Sequence, residues 1–434
     1  MLITADDWSP LAGCYGSPGV HTPRVDRLAA RGTVFDHAFC NSPSCAVSRA
    51  NLLTGKQVHQ HGQFGHTHSI HGFRTAPDVV TVPAWLRATQ RMSRLIGKNH
   101  TAPAEVYPWE SRINPPLTPD DYRQRVGEAL ADPATAFVMV APIHPHRMAG
   151  PDGFGLHRFA EDYHVPPVDP ADVIVPGYLP DLPEVRADLA NYYRAIGRLD
   201  ALIGASLDAL EESGRGHETL VLVNSDHGLP FLGAKATSFE GGHHCPLIVH
   251  RPGQAAGRCR AMVSWLDVAP TVYDWLGVDP PGDLGGRSLL PILETPDPLG
   301  WDEVVYSHVF HEVTMYDPYR VLRGRRYKYV RRLVPGLPTP FSSDVFEQMV
   351  KTGRWTRGGR PVTAYTQRPG ESLYDLEQDP LEIHDRIDDP ALAQVAAEMR
   401  QRLREIRRRE QDPWLILDYR ASDPQVTSSE GIPS

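Results

Sequence analysis

Two pairs of residues carry the first chemical signal. Asp6 and Asp7 stand side by side directly after the apolar run 2–4, and Asp226 and His227 follow the run 220–223 within Asn224-Ser225-Asp226-His227-Gly228. Adjacent like charges at the end of a buried segment cost free energy unless a cation neutralises them. Carboxylate oxygens suit Ca2+, Mg2+ or Mn2+, and an imidazole also suits Mn2+. Taken together, the two pairs predict a divalent metal site. A third feature is Cys45, in Ser44-Cys45-Ala46-Val47-Ser48-Arg49, where an arginine four residues on shares the cysteine's face of a helix. A free cysteine at a helix start is commonly a buried structural thiol. A helix N-terminus beside a guanidinium is also an anion-binding corner.

The elements that must position these groups are legible as short apolar runs. Residues 2–4, 136–141 and 220–223 read as buried parallel strands, and they lead into Asp6, His144 and Asp226. In open α/β sheets ligands lie beyond the carboxyl ends of the strands, so three such runs point to one shared site. Leu189, Tyr192, Ile196, Leu199, Ile203 and Leu210 recur at helical spacing with Gly214 as a stop, and Tyr192 and Tyr193 read as core packing. Residues 271–300 are rich in Pro, Gly and Asp and read as a linker region. Beyond it, 327–330 reads as a strand, 391–408 as a helix with a solvated charged face, and the polar stretch after Ser422 as a disordered tail. The chain accordingly divides near Gly300 into a larger unit, residues 1–300, and a smaller one, 301–434.

The bulk numbers set limits. A chain of 434 residues exceeds what one core organises. With 41% hydrophobic and 22% charged residues it has the composition of a soluble globular protein. No apolar run approaches the roughly 18 residues of a membrane span. A formal net charge of -9 gives no general affinity for nucleic acid, so an anionic substrate needs a local basic pocket. Five cysteines, Cys14, Cys40, Cys45, Cys245 and Cys259, are too few and too scattered for a disulfide framework, and their odd number leaves one over. The sequence as given shows no secretory signal, which predicts a cytoplasmic protein; a start upstream would make it secreted or periplasmic.

The segment from Cys45 to Gly55 resembles the signature of the type I sulfatases, C-x-P-S-R followed by A-x-L-L-T-G, with Val47 where the family has proline. The resemblance implies an alkaline phosphatase-like α/β/α sandwich with a large central, mostly parallel sheet, plus a smaller C-terminal α+β subdomain with an antiparallel sheet. It implies that Cys45 is oxidised to formylglycine by a formylglycine-generating enzyme. One hydroxyl of the aldehyde hydrate then attacks sulfur, and the other expels sulfate. It implies Ca2+ as the metal, held by Asp6, Asp7, Cys45, Asp226 and His227. Arg49 would orient the hydrate; Lys98 and His100, in Gly97-Lys98-Asn99-His100, would contact sulfate and serve the proton transfers; His146 and Lys235 would bind further sulfate oxygens.

Within the family the likeness is to the sulfamidase (heparan N-sulfatase) branch, through Gly97 to Tyr107, Pro142 to Arg147, Asp188 to Asp200, His311 to Met315, Asp344 to Phe346 and Asp412 to Trp414. That branch implies an N-sulfoglucosamine substrate, a role in glycosaminoglycan degradation and a homodimer. His144, His311 and Glu312 then become substrate-pocket residues. His311-Glu312 does not open a zinc-protease motif, because Met315 stands where the second histidine of H-E-x-x-H belongs. Two other readings use the same residues: a carbohydrate or aryl O-sulfatase, or a phosphodiester or phosphonate monoester hydrolase, since fold does not decide the substrate. A third is a sulfated-glycan binding protein with Cys45 unmodified.

Overall fold

Eight strands build the larger of two sheets: β1 (Leu2–Ala5), β2 (Thr33–Phe39), β3 (Met92–Gly97), β4 (Ser111–Ile113), β5 (Thr135–Ala141), β6 (Val221–Ser225), β7 (Leu247–His250) and β8 (Gly257–Ser264). Their order is β4-β3-β5-β1-β6-β7-β2-β8, and every neighbouring pair is parallel except the two that β7 makes. The computed structural model describes residues 1–114, 118–148, 153–154, 163, 165–338, 359–360 and 363–416. Asp344 to Phe346 and the stretch after Ser422 lie outside them.

The central strands are apolar on both faces because both faces are covered. Ile3, Val140 and Val223 point to one side, where the helix Pro183–Glu212 lays down Leu189, Tyr192, Ile196, Leu199 and Ile203. Leu2, Met139 and Leu222 point to the other, against Leu52, Leu53, Trp265 and Val268. Each such fully buried side chain contributes roughly 1.5–3 kcal/mol over its exposed state. The long helix stops at Ser213, followed by Gly214 at φ 72°, as the periodicity predicts. Residues 271–300 depart from a pure linker. The stretch opens inside the helix Val268–Trp275, whose Val272 and Tyr273 are buried, and only then turns irregular.

The smaller sheet is antiparallel, in the order β12-β11-β10-β9, from β9 (Glu303–Phe310), β10 (Tyr316–Gly324), β11 (Tyr327–Arg332) and β12 (Glu371–Asp375). One face packs Tyr306, Tyr319, Val321 and Val330 against Phe39, Phe239 and Met262 of the larger unit. The other receives Met399, Leu403 and Ile406 of the helix Ala393–Arg409. Among the described residues no helix is long and apolar enough to cross a membrane.

The end of that helix is fastened by one carboxylate. Asp412 accepts from Arg320 Nε and Nη2 at 2.8 and 3.1 Å and from Arg407 Nε at 2.9 Å, all three side chains being buried. Burial alone would push the Asp412 carboxyl up, but Arg320 and Arg407 hold it down to about 2. Replacing it by alanine removes the carboxylate that two buried guanidinium groups share, and Asp412→Ala should lower stability by about 3 kcal/mol in denaturant titrations. A depressed carboxyl stabilises the fold above its unfolded value of about 3.9. That contribution should fade as pH falls from there toward 2, and the wild-type advantage over the variant should fade with it.

Candidate active site

Because β3, β5, β1 and β6 run parallel, their carboxyl ends open onto one edge, and the residues that follow them meet there. Asp6 and Asp7 leave β1, Lys98 and His100 leave β3, His144 and His146 leave β5, and Asp226 and His227 leave β6. Gly97 ends β3 at φ 109°, and a Cβ there would stand 2.2 Å from the Ala141 carbonyl oxygen, so only glycine lets Lys98 enter beside β5.

Asp6, Asp7, Asp226 and His227 are all fully buried. One ligand atom each from Asp6, Cys45, Asp226 and His227 lie within 4.8 Å of one another, as do those of Asp6, Asp7, Cys45 and His146. Asp226 Oδ1 accepts the backbone N–H groups of Asp7 at 3.1 Å and His227 at 2.9 Å. His227 Nδ1 lies 3.0 Å from the Gly228 carbonyl oxygen, which makes Nδ1 the donor and turns Nε2 inward, 3.1 Å from Asp7 Oδ1 and 3.2 Å from Cys45 Sγ. Asp7 adopts a left-handed backbone, φ 65°, and is held there from both ends. Its N–H reaches Asp226 and its carbonyl accepts the Tyr192 hydroxyl at 2.7 Å.

Cys45 begins the helix Cys45–Thr54, every residue of which is buried. Burial pushes its thiol well above the ordinary cysteine range, although Lys98 and Lys235 pull the other way, so the thiol stays protonated and a poor nucleophile. Arg49, one turn on, sends Nε and Nη2 to Asp226 Oδ2 at 3.1 and 3.0 Å and lies 3.8 Å from Asp6 Oδ2. Ser48 Oγ donates to the Asp226 carbonyl. These bonds pin the helix start to the end of β6.

Two further cations face the carboxylates. Lys98 Nζ donates to Asp6 Oδ2, and Lys235 Nζ donates to Asp7 Oδ2 at 3.1 Å, with His146 Nε2 3.5 Å from the same ammonium. Burial alone would lower Lys98, but Asp6, Cys45 and Asp226 together more than reverse this and keep it charged. Burial would likewise raise Asp6, yet Lys98, His146 and Arg49 hold it well below the carboxylate range. Burial lowers the His146 and His100 imidazoles, with Lys98 adding to the effect at both, so both rings are neutral at pH 7. Arg147 clamps the loop carrying His146 onto the long helix through two 2.9 Å bonds to Asp188.

The three residues expected in the substrate pocket sit differently from one another. His144 is half-buried: its carbonyl accepts the Asp6 N–H at 3.2 Å and its ring meets Tyr163 edge-on. His311, just past β9, is buried with Nδ1 3.0 Å from Ser44 Oγ at the start of the Cys45 helix. Glu312 is half-buried and its charge acts on His68. His66 and His68, absent from the sequence expectations, crowd His100. The five histidines between His59 and His71 are the signal that marks them.

The donor set fits a divalent metal. Three carboxylates and one imidazole converge, and Asp6 Oδ1 and Asp7 Oδ1 are buried without a hydrogen-bond partner among the described residues. Asp6, Asp7, Asp226 and His227, with residue 45, would hold it.

The sulfatase family profile matches residues 1–110 and 120–278, and that of the N-sulphoglucosamine sulphohydrolase C-terminal region matches 232–334. Human N-sulphoglucosamine sulphohydrolase is 32% identical over 461 aligned residues, covering 96% of this chain and 91% of that protein. The structure of a phosphonate monoester hydrolase from Agrobacterium radiobacter is 20% identical and covers 94% of this chain and 95% of its own, with a TM-score of 0.71. A protein solved in complex with its substrate D-glucosamine-2-N,6-O-disulfate is 19% identical and covers 95% and 98%, with a TM-score of 0.68. Those two structures share this fold.

A metal in the carboxylate cluster should raise Tm. Ca2+ at about 100 times its Kd should stabilise the chain by about 2.7 kcal/mol in thermal scans, reversibly with chelator. Asp226→Asn should abolish the effect.

Proposed function

The chain belongs to the sulfatase family of sulfate-ester and sulfamate hydrolases, and we propose that it removes the N-linked sulfate of a glucosamine unit at a formylglycine matured from Cys45. The observation that carries the proposal is the meeting of Cys45 with three buried carboxylates and the cations Arg49, Lys98 and Lys235 at the ends of parallel strands. The N-sulfate preference is supported by the human relative, whose name states that substrate and whose likeness spans almost the whole chain.

In this reading Ca2+, in the cluster of Asp6, Asp7, Asp226, His227 and residue 45, supplies Lewis-acid polarisation of the sulfate. Formylglycine at position 45 would supply, as its hydrated aldehyde, one hydroxyl as the nucleophile toward sulfur and a second for the release of sulfate. The remaining work falls to neighbouring side chains. Arg49, clamped by Asp226, holds the start of the helix and with it position 45. Lys98 and Lys235 present charged ammonium groups to the sulfate oxygens, with His146 beside Lys235. A positioned cation in a dry site supplies a few kcal/mol toward the transition state. Neutral His100 accepts the proton released on expulsion, and Lys98, kept charged beside Asp6, hands one to the leaving nitrogen.

Peptide mass spectrometry of protein from its native host tests the first step: formylglycine lowers the mass of the peptide containing Cys45 by about 18 Da relative to the thiol. A wholly unmodified peptide would sink the proposal and leave the glycan-binding reading. On matured protein, N-sulfoglucosamine should be turned over in preference to a 6-O-sulfated glucosamine or a phosphonate monoester. Lys98→Ala should cost about 10²–10³ in kcat. A preference for either of the other two substrates would reassign the activity within the same fold.

A further inference from the structure

Beside the carboxylate cluster lies a second constellation of a different chemical kind. His66 and His68 come from the loop after the short helix Val58–His61, and His100 follows β3. One ring nitrogen from each lies within 4.8 Å of the other two. His68 Nδ1 is 2.7 Å from His100 Nε2, and the His66 ring stacks on that of His100 with centroids 4.8 Å apart at 19°. His66 and His100 are 5% and 8% exposed, whereas His68 stands at the surface.

The buried His243, by contrast, rests its Nδ1 on the Cys40 carbonyl at 2.9 Å. Here imidazoles face imidazoles, and His66 Nε2 is 3.1 Å from His311 Nε2. The Nδ1 atoms of His66 and His100 are buried with no hydrogen-bond partner among the described residues. The charged and titratable groups acting on the trio are Lys98, Lys235, Arg49, Asp6, His71, His146, His311 and Glu312. Burial leads the list of effects lowering each of the three rings, with neighbouring lysines and imidazoles adding to it. Neutral imidazoles offer lone pairs, and lone pairs on nitrogen select borderline transition metals over Ca2+ or Mg2+.

We propose that His66, His68 and His100 form a transition-metal site, suited to Zn2+, at the rim of the active site and separate from the carboxylate cluster. Tetrahedral zinc with bonds of about 2.0–2.1 Å sets its ligand nitrogens about 3.3 Å apart, so binding draws together three nitrogens that already lie within 4.8 Å of one another. Three imidazoles leave the fourth position for water. Because His100 is also assigned a proton-transfer role in the reading above, an ion bound here withdraws that ring from the reaction, and Zn2+ becomes an inhibitor. That consequence rests on the proposed function; the binding itself does not.

Calorimetric titration of Zn2+ into the full chain under saturating Ca2+ tests the site without turnover. The expected result is one site per chain in the wild type and in His217→Ala, a surface control, weakened about tenfold or more in His68→Ala and in His66→Ala. Since His68 is exposed, its variant does not put folding at stake. An unchanged isotherm in His68→Ala would overturn the proposal. So would a zinc signal lost in Asp226→Asn but kept in His68→Ala, which would place the ion among the carboxylates. If turnover is established, Zn2+ should inhibit the wild type and His68→Ala should relieve the inhibition.

Discussion

Three carboxylates buried within a few ångströms of one another are the constraint around which the rest of this structure is arranged. Asp6, Asp7 and Asp226 have no access to water, and each must meet positive charge or a hydrogen-bond donor. Arg49 spans two of them, Lys98 meets one and Lys235 another. Those three cations arrive from a helix, a strand end and a loop, so satisfying the carboxylates fixes the relative positions of three separate elements. Adding a divalent ion to a balanced set leaves it net positive. A bound anion then discharges the excess, which gives a protein of net charge -9 a local reason to attract sulfate.

The parallel order of β3, β5, β1 and β6 makes this convergence possible, and the antiparallel sheet makes it rigid. Ser44, the residue before the Cys45 helix, is bonded by His311 from just beyond β9, a contact spanning 267 residues. Asp7 holds an uncommon backbone conformation, which costs of order 1 kcal/mol for a non-glycine residue. The Asp226 carboxylate on one side and the Tyr192 hydroxyl on the other over-determine it. A strained residue held this way keeps its carboxylate aimed without needing a ligand to order it.

The sequence made the strands leading to Asp6, His144 and Asp226 legible because each is a short apolar run with a polar end, and made the long helix legible because its stripe is regular. The partners of polar atoms were not legible. The spacing of Tyr192 places it in the core, where it is, but periodicity reports which face is buried and not that its hydroxyl reaches Asp7. His144 follows a strand as its neighbours do, but nothing in its spacing tells that its carbonyl accepts the Asp6 N–H. His66 and His68 belong to no periodic element, so only their local density in the chain marked them. Strands β2, β7 and β8 complete the sheet on its far side, and the pairing that makes β7 antiparallel is a long-range choice no local pattern encodes.

Val47, where the family pattern has proline, shows how little the site's geometry depends on that position. It is the third residue of the helix, and the first four N–H groups of a helix have no partner within it, so proline and valine are equally compatible with the turn. The Ser48 N–H closes onto the Ser44 carbonyl at 2.8 Å whichever residue precedes it. The valine side chain packs with Val58 and Val309, adding to the seam between the Cys45 helix and the antiparallel sheet. Cys45 and Arg49 are instead placed by the bonds of Arg49 and Ser48 to Asp226 and of Ser44 to His311, none of which involves residue 47. The arrangement of the folded site therefore does not rest on the residue at position 47.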